Sequence, residues 1–239
     1  IPLLVHEQNT KFGMTNKYLS KWAKKVLTGF NLNGLYGSEW IGNPVRSAIE
    51  DSVKQQKQDS DVVNILIVGG SLGANALNTR IPALLNPLID SQQIEVRHQC
   101  GKNNLEKTKQ NYISGNNLNI TEFISDMADA YSWADIIIAR AGALTIAEIN
   151  AVGLPAILVP YPYAVDDHQT HNAQNIVDNK AGYIWQETQE ISELKNHVIT
   201  LVENKSLRDE MAQQSKLLHK KDSAFQSRCT YGKKAFCRY

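Results

Sequence analysis

The chain has 239 residues, of which 42% are hydrophobic and 21% charged, and its formal net charge is +1. This content allows one or two domains with an ordinary core. Three irregularly spaced cysteines argue against a secreted disulfide framework, and no metal site is expected, since no His or Cys lies near Cys229 or Cys237 at zinc-ligand spacing. No run approaches the ~20 apolar residues of a membrane span, and outside the last residues no basic face with interleaved aromatics suggests nucleic-acid binding. We therefore expect a cytoplasmic protein.

The first 46 residues start directly with a strand pattern. Leu3–Val5 predicts a buried strand that ends in the polar turn 6–9. Because a natural domain rarely starts in mid-sheet, we expect a fragment whose N-terminal part is missing. Residues 16–30 place apolar side chains at helical spacing with four lysines around them, which predicts a basic amphipathic helix. Such a helix either covers a sheet or rests on an anionic membrane surface.

From Asn64 onward, strand and helix patterns alternate. The predicted strands are 65–68, 94–99, 118–122, 135–139, 156–160 and 183–185. The predicted helices are 75–85, 104–113, 127–133, 144–152, 168–179, 191–203 and 207–218. The alternation predicts an α/β fold with a doubly wound parallel sheet that is covered on both faces. The polar stretch 52–61 predicts a linker or surface loop.

A first glycine loop, Gly69–Ala74, follows an apolar strand pattern and precedes a helical one. Its backbone N–H groups and the Ser71 hydroxyl would suit a phosphate. A glycine turn can equally serve only to let a helix and a strand pack closely, and both interpretations remain open. The loop matches neither G-x-G-x-x-G nor a P-loop, which disfavours hydride transfer and NTP hydrolysis.

A second loop, 141–145, follows Arg140, which ends an otherwise apolar strand where a guanidinium is unusual. This loop would open the next helix, and the positive end of that helix suits an anion. Glu148 could accept hydrogen bonds from two ribose hydroxyls, or could simply complement the helix dipole. The two loops together predict a site for a nucleoside diphosphate.

The polar segment 166–172 follows the strand pattern 156–160, at the edge where open α/β sheets bind ligands. Within it, Gln169 and Asn172 carry amides that suit sugar hydroxyls. Its two adjacent aspartates are interpreted as helix N-cap residues rather than metal ligands. Its two histidines have no evident third ligand.

These segments, in order and at consistent spacing from residue 1 to about Asp222, resemble the MurG-type glycosyltransferases of bacterial cell-wall synthesis. The matching stretches are 6–9 (HEQN), 42–46 (GNPVR), 69–74 (GGSLGA), 123–131 (FISDMADAY), 134–135 (AD), 140–145 (RAGALT) with Glu148, and 167–169 (DHQ) with 172–173 (NA). The resemblance implies a GT-B fold. Residues 1–46 would be the remnant of a Rossmann-like acceptor domain and 47–222 the UDP-sugar donor domain. Residues 223–239 form an unassigned tail that reads like altered sequence.

The resemblance also implies an activity. The family moves N-acetylglucosamine (GlcNAc) from UDP-GlcNAc onto undecaprenyl-linked lipid I with inversion, giving lipid II for peptidoglycan, and so serves cell-wall biogenesis, cell shape and cell division. No cofactor or metal is implied. The enzyme would be peripheral at the cytoplasmic face of the bacterial inner membrane.

Family motifs imply which residues bind the donor. Ser71 and residues 143–148 would hold diphosphate and ribose, Ile124 would contact uracil through its backbone, and Gln169 would contact the sugar. The full set of expected UDP-GlcNAc-binding residues is Asn9, Arg46, Ser71, Ile124, Arg140, Ala143, Leu144, Thr145, Ile146, Ala147, Glu148 and Gln169, with His168 and Asn172 as further sugar contacts.

One part of the family pattern has no counterpart here. The glycine loop with a histidine that serves the acceptor lies upstream of the first residue, so the catalytic residues are expected in a missing N-terminal half. The chain by itself is therefore expected to bind the donor without completing the reaction. Two alternatives remain: a nucleotide-sugar-binding subunit of a split glycosyltransferase, and a UDP-sugar epimerase, for which no acid/base carboxylates are identified.

Overall fold

The computed structural model describes residues 2–52, 62–113, 115, 117–164, 167–221 and 223. These residues form two parallel sheets, one of three strands and one of six. The predicted linker 52–61 lies outside the described residues except for Ser52, and so does the tail beyond Ser223, with Cys229 and Cys237. The domain boundaries at 46 and 222 therefore stay predictions.

The small sheet comes from the N-terminal segment. Its strands are β1 (Leu4–Glu7), β2 (Lys25–Thr28) and β3 (Glu39–Trp40), in the order β1-β2-β3. Helix α1 (Met14–Leu19) connects β1 to β2, a short 3-10 turn spans Leu35–Gly37, and α2 (Ser47–Glu50) follows β3. The predicted strand at 3–5 is thus confirmed with a shift toward the C-terminus.

The predicted helix over 16–30 was wrong beyond Leu19. Lys25–Thr28 is the central strand of the small sheet, paired with β1 on one side and β3 on the other. Val26 and Leu27 are buried there, whereas Trp22 of the supposed apolar stripe is largely exposed. Adjacent apolar residues such as Val26 and Leu27 fit both the helical and the strand period. Hydrogen bonding to a strand on each side therefore decides the conformation in favour of a strand.

The large sheet matches the predicted α/β architecture. Its strands are β4 (Val63–Val68), β5 (Ile94–Gln99), β6 (Leu118–Thr121), β7 (Ile136–Ala139), β8 (Ala156–Leu158) and β9 (Gly182–Ile184). Their order is β6-β5-β4-β7-β8-β9 and every pair is parallel. The chain starts in the middle, winds outward through β6 and then crosses back to β7. All six predicted strands and the doubly wound topology are confirmed.

Helices cover both faces of this sheet. They are α3 (Asn75–Asp90), α4 (Leu105–Gln110), α5 (Met127–Trp133), α6 (Ala143–Val152), α7 (His168–Asp178), α8 (Ile191–Glu203) and α9 (Lys205–Leu217). Helix α3 runs past the predicted end at Leu85 in spite of Pro87, because Ile89 is still buried against the sheet. None of the helices that the structure describes combines the length and apolar character that a membrane span requires.

Alternate residues of the central strand β4 belong to two separate cores. Leu66 packs with the α5–α6 side, and Ile65 and Ile67 pack with the α3–α8 side. A strand covered on both faces is apolar throughout, which explains why β4 reads as a continuous hydrophobic run. The two cores hold the carboxyl ends of β4 and β7 rigidly side by side.

Candidate functional site

The strand order reverses between β4 and β7, and this point defines a crevice at their carboxyl ends. Val68 at the end of β4 pairs with Ala139 at the end of β7. The two glycine loops of the sequence therefore leave the sheet next to each other. In open α/β sheets this switch point is where ligands bind.

The first glycine loop is fastened to the turn after β5. A Cβ built on Gly73 would overlap the carbonyl oxygen of Cys100, and Gly73 has a φ of +76°. A Cβ on Gly101 would in turn overlap the backbone of Gly73. Close packing is thus one reason for these glycines, as the structural interpretation of the loop predicted. The loop also leaves Ser71 exposed, so that the expected phosphate contact at Ser71 stays a prediction.

The second loop opens α6 at the edge of the crevice. Gly142 has extended backbone angles (φ −66°, ψ 140°) and the helix begins at Ala143. The N–H of Ile146 already donates to the Gly142 carbonyl oxygen at 2.9 Å. Only the N–H groups before Ile146 lack an intrahelical partner by geometry, so of the expected phosphate contacts 143–148 the backbone can offer 143–145. These groups lie at the positive end of the helix dipole.

Glu148 lies one turn further along α6 and is held by two side chains. Its Oε1 lies 3.1 Å from Nη2 of Arg46, and the Tyr131 hydroxyl donates to its Oε2 at 3.0 Å. The Arg46 side chain is 61% exposed and that of Glu148 is 19% exposed. The structure thus brings together Arg46 and Glu148, which sequence motifs predicted separately.

Tyr131 was not among the expected site residues. Its ring is buried in the core on the α5–α6 side, and burial, with the Glu148 carboxylate adding to it, holds the pKa of its hydroxyl well above the ordinary value. The hydroxyl is therefore a permanent hydrogen-bond donor to Glu148. Tyr131 ends the matching stretch 123–131, but a tyrosine on the buried face of a helix looks like a core residue, and the motif gives it no separate role.

Arg140 is directed toward the end of β8. Its Nη1 donates to the carbonyl oxygens of Val159 and Pro160 at 3.1 and 3.2 Å and lies 2.6 Å from Oε1 of Glu187. The guanidinium also lies over the ring of Tyr161, 5.5 Å from its centroid. These contacts with protein groups are enough to explain why an arginine ends an apolar strand. A contact between Arg140 and the donor stays a prediction.

Asn172 ties the N-terminal segment to the crevice. Its Oδ1 accepts from both the N–H and the hydroxyl of Thr10 at 2.9 and 3.0 Å, and its Nδ2 donates to Asn9 Oδ1 and to the Ala141 carbonyl oxygen. The side chain is fully buried, and a carboxamide makes four hydrogen bonds at most. In this arrangement protein groups occupy all four hydrogen-bonding positions of the Asn172 carboxamide, and the expected contact between Asn172 and the sugar stays a prediction.

Asn43 makes a second connection between the same parts. Its Nδ2 donates to the Gln8 carbonyl oxygen at 2.9 Å and lies 3.5 Å from the Ala143 carbonyl oxygen. The sequence indicates Asn43 only as part of the motif 42–46. Its role depends on a docking between distant segments that no local pattern encodes.

The start of α7 carries two further expected sugar contacts. Gln169 Oε1 accepts from the N–H of Tyr161 at 3.0 Å, which fixes the amide beside the end of β8. His168 is the first helical residue after Asp167, which occupies the N-cap position but accepts from the Thr170 hydroxyl rather than from a backbone N–H. Asp166 lies outside the described residues.

Ile124 follows the end of β6 and packs against the core on the α5–α6 side of the sheet. It lines a cavity of about 220 Å³ together with Arg97, Asn119 and the exposed ring of Phe123. The expected contact with uracil stays a prediction. Among the described residues, no group of three or more His, Cys, Asp or Glu side chains is placed to hold a metal ion.

Comparison with known proteins identifies the family of the chain. The family model of the glycosyltransferase family 28 C-terminal domain matches residues 64–226. The UDP-N-acetylglucosamine--N-acetylmuramyl-(pentapeptide) pyrophosphoryl-undecaprenol N-acetylglucosamine transferase of Shewanella denitrificans is 52% identical over 192 residues, which cover 77% of this chain and 52% of that protein. The transferase of the same name from Psychromonas ingrahamii is 41% identical over 222 residues, covering 90% and 62%.

Solved structures place the fold in the same group. The crystal structure of Acinetobacter baumannii MurG matches with a TM-score of 0.84 and 39% identity, covering 95% of this chain and 65% of that chain. A putative UDP-N-acetylglucosamine 2-epimerase from Listeria monocytogenes matches with a TM-score of 0.63 at 11% identity, which shows the fold alone.

The resemblance to the MurG type and the GT-B fold is thereby confirmed. The chain spans about half the length of the first curated relatives it matches. Because the family model covers more than half of this chain, the chain belongs to glycosyltransferase family 28 and carries its C-terminal domain.

Proposed function

We propose that the chain binds UDP-GlcNAc in the crevice at the ends of β4 and β7, as the donor half of a transferase that moves GlcNAc onto lipid I to form lipid II. The observation that carries this proposal is the pairing of Glu148 with Arg46 and Tyr131 beside the start of α6. A carboxylate next to unpartnered helix N–H groups offers one acceptor set for ribose hydroxyls and one donor set for phosphates.

Each part of the donor would have its own contacts. The diphosphate would lie on the N–H groups of residues 143–145, with Arg46 at its edge and the Ser71 hydroxyl as a further donor. The ribose hydroxyls would reach Glu148, the uracil would lie by Ile124, and the sugar would extend toward Gln169. This order follows the arrangement of the loops along the sheet edge.

The same groups would assist the chemistry. When the bond from the sugar to UDP breaks, negative charge grows on the departing diphosphate. Preorganised N–H groups and a guanidinium stabilise such charge without reorganising, because they already point at the position where it develops. The base that deprotonates the acceptor hydroxyl is expected in the N-terminal half of the enzyme, which corresponds to the part of the relatives that this sequence does not match.

The surface of the N-terminal segment suits contact with a membrane, where the lipid-linked acceptor would lie. Met14, Tyr18 and Trp22 are 81%, 61% and 59% exposed, and Tyr18 and Trp22 are in edge contact at 4.5 Å. Exposed lysines surround them: Lys11, Lys17, Lys21 and Lys24. Aromatic and thioether side chains ringed by lysines suit the interface of an anionic bilayer, which agrees with peripheral binding at the cytoplasmic face of the inner membrane.

The proposed function is tested by following UDP-GlcNAc itself. The chain is incubated with UDP-GlcNAc, and proton NMR records both line broadening of the uridine signals and the anomeric signal of the sugar. Binding with an unchanged sugar supports a donor half. Conversion to the manno epimer would instead indicate an epimerase, and the absence of any broadening by a folded chain would contradict the proposal.

A further inference from the structure

The carboxylate of Glu148 is only partly used by its two protein partners. Ionised, it has about four lone-pair positions on its two oxygens. Tyr131 takes one on Oε2 and Arg46 takes one on Oε1. One position on each oxygen therefore remains, and two neighbouring hydroxyls of a ribose need two acceptors of this kind.

The two partners of Glu148 differ in how firmly they are held. The Arg46 side chain is more than half exposed, so its ion pair is of the weak surface kind. The Tyr131 ring is fully buried among core side chains on α5 and α6, such as Ile146 and Ile149. A buried ring in a packed core keeps its rotamer. The direction of the Glu148 carboxylate is thus set mainly by Tyr131.

We propose that Tyr131 is a positioning residue of the nucleotide site: its buried hydroxyl fixes the Glu148 carboxylate so that one acceptor position on each oxygen faces the ribose diol. The inference rests on the proposed function, because it requires a nucleotide ribose at Glu148. Tyr131 touches the carboxylate and not the ligand, so it acts through Glu148 alone.

The test compares two ligands and two variants by calorimetric titration. Tyr131→Phe removes the hydroxyl and keeps the ring. UDP, which has both ribose hydroxyls, is compared with 2′,3′-dideoxy-UDP, which has neither. We expect Tyr131→Phe to weaken UDP binding roughly tenfold, the value of one hydrogen bond to a charged group, and to change dideoxy-UDP binding by less than about twofold, because mutation and deoxygenation remove the same interaction.

Tyr112→Phe is the matched control. Tyr112 is also buried, and its hydroxyl is hydrogen-bonded to Nδ1 of His98 at 2.9 Å. It belongs, however, to the core on the other face of the sheet. We expect it to leave the affinity for both ligands within about twofold, as an ordinary buried hydroxyl would.

Each result decides the inference. Equal weakening of UDP and dideoxy-UDP by Tyr131→Phe would show a general structural role and overturn it. If Tyr131→Phe does not fold, Glu148→Ala is compared with Glu148→Ala/Tyr131→Phe, in which loss of the hydroxyl takes no hydrogen-bond donor away from a carboxylate. Equal UDP affinity of those two supports the inference, and a further loss of more than about threefold contradicts it. If the unaltered chain binds no UDP, the proposed function itself fails.

Discussion

Thr10 and Asn172 lie far apart in the sequence, yet both the N–H and the hydroxyl of Thr10 donate to Oδ1 of Asn172. The same carboxamide reaches the carbonyl oxygen of Ala141, at the loop that opens α6. One side chain therefore joins the N-terminal segment, α7 and the crevice.

Removing this side chain is expected to loosen all three elements. Asn172→Ala removes four hydrogen bonds to groups that are buried or partly buried, and we expect the free energy of unfolding to fall by about 3 kcal/mol, measured by urea denaturation. Gln174→Ala is the control, because Gln174 is an exposed carboxamide on the same helix with one local contact to Asp178. A loss for Asn172→Ala no larger than the control's would show that the connection contributes little.

The first glycine loop allows packing and backbone strain to be separated. Gly70 and Gly73 both have positive φ, but a Cβ on Gly70 meets nothing within 4 Å whereas one on Gly73 overlaps Cys100. We expect Gly70→Ala to cost about 1 kcal/mol from strain alone and Gly73→Ala about 3 kcal/mol, since overpacking is added. Urea denaturation of both variants checks this, and equal losses would mean that the contact with Cys100 relaxes freely.

His98 predicts how stability depends on pH. Burial lowers its pKa to about 3, from an ordinary value of 6.5. Between pH 6.5 and about pH 3, His98 therefore binds a proton in the unfolded chain but not in the folded chain. The free energy of unfolding consequently falls as the pH drops through this range, by at most about 1.4 kcal/mol per pH unit. We expect urea denaturation at pH 7 and pH 5 to show this fall.

Replacing the histidine isolates its share of the pH effect. His98→Asn should flatten the dependence, and His171→Asn, which replaces an exposed histidine on α7, is the control variant. His6, whose pKa burial also lowers, contributes in the same direction in every variant. An identical pH slope for His98→Asn and the unaltered chain would contradict the assignment to His98.

The basic aromatic surface predicts binding to anionic vesicles. Replacing Lys17, Lys21 and Lys24 with Gln together removes about 1 kcal/mol per lysine, so that vesicle affinity should fall roughly a hundredfold at low salt. Co-sedimentation with phosphatidylglycerol vesicles measures this.

A charge-matched control separates position from net charge. Substituting Gln at three scattered exposed lysines, Lys107, Lys180 and Lys205, removes the same charge from other surfaces and should cost far less affinity. If both triple variants lose affinity equally, the effect is one of net charge and the N-terminal surface is not the contact.

The large sheet was predictable because each of its strands carries its own signal. Ile65–Val68 and Ile136–Ala139 are unbroken apolar runs, the first followed directly by Gly69 and the second by Gly142 three residues on, and the helices between strands fix a parallel order. The strand β2 was not predictable, because Val26 and Leu27 fit a helical stripe equally well. Only their pairing with β1 and β3, which involves other parts of the chain, decides between the two.

The site shows the same division. Arg46 and Glu148 were expected from their motifs, but their 3.1 Å ion pair depends on the docking of α2 against α6. The hydroxyl contact of Tyr131 arises from the packing of α5 against α6, and the contacts of Asn172 arise from the docking of the N-terminal segment on α7. Residue type and spacing identify what chemistry a loop can offer, and three-dimensional packing decides which groups are already taken.

We propose that Glu148 and the start of α6 form a uridine nucleotide site. Calorimetric titration of the chain with UDP-GlcNAc, UDP and ADP, together with Glu148→Ala, tests this site. We expect saturable binding of both uridine ligands and not of ADP, weakened at least tenfold in Glu148→Ala because a charged hydrogen-bond acceptor is lost. Equal affinity of the variant and the unaltered chain for UDP, or no binding by a folded chain, would contradict it.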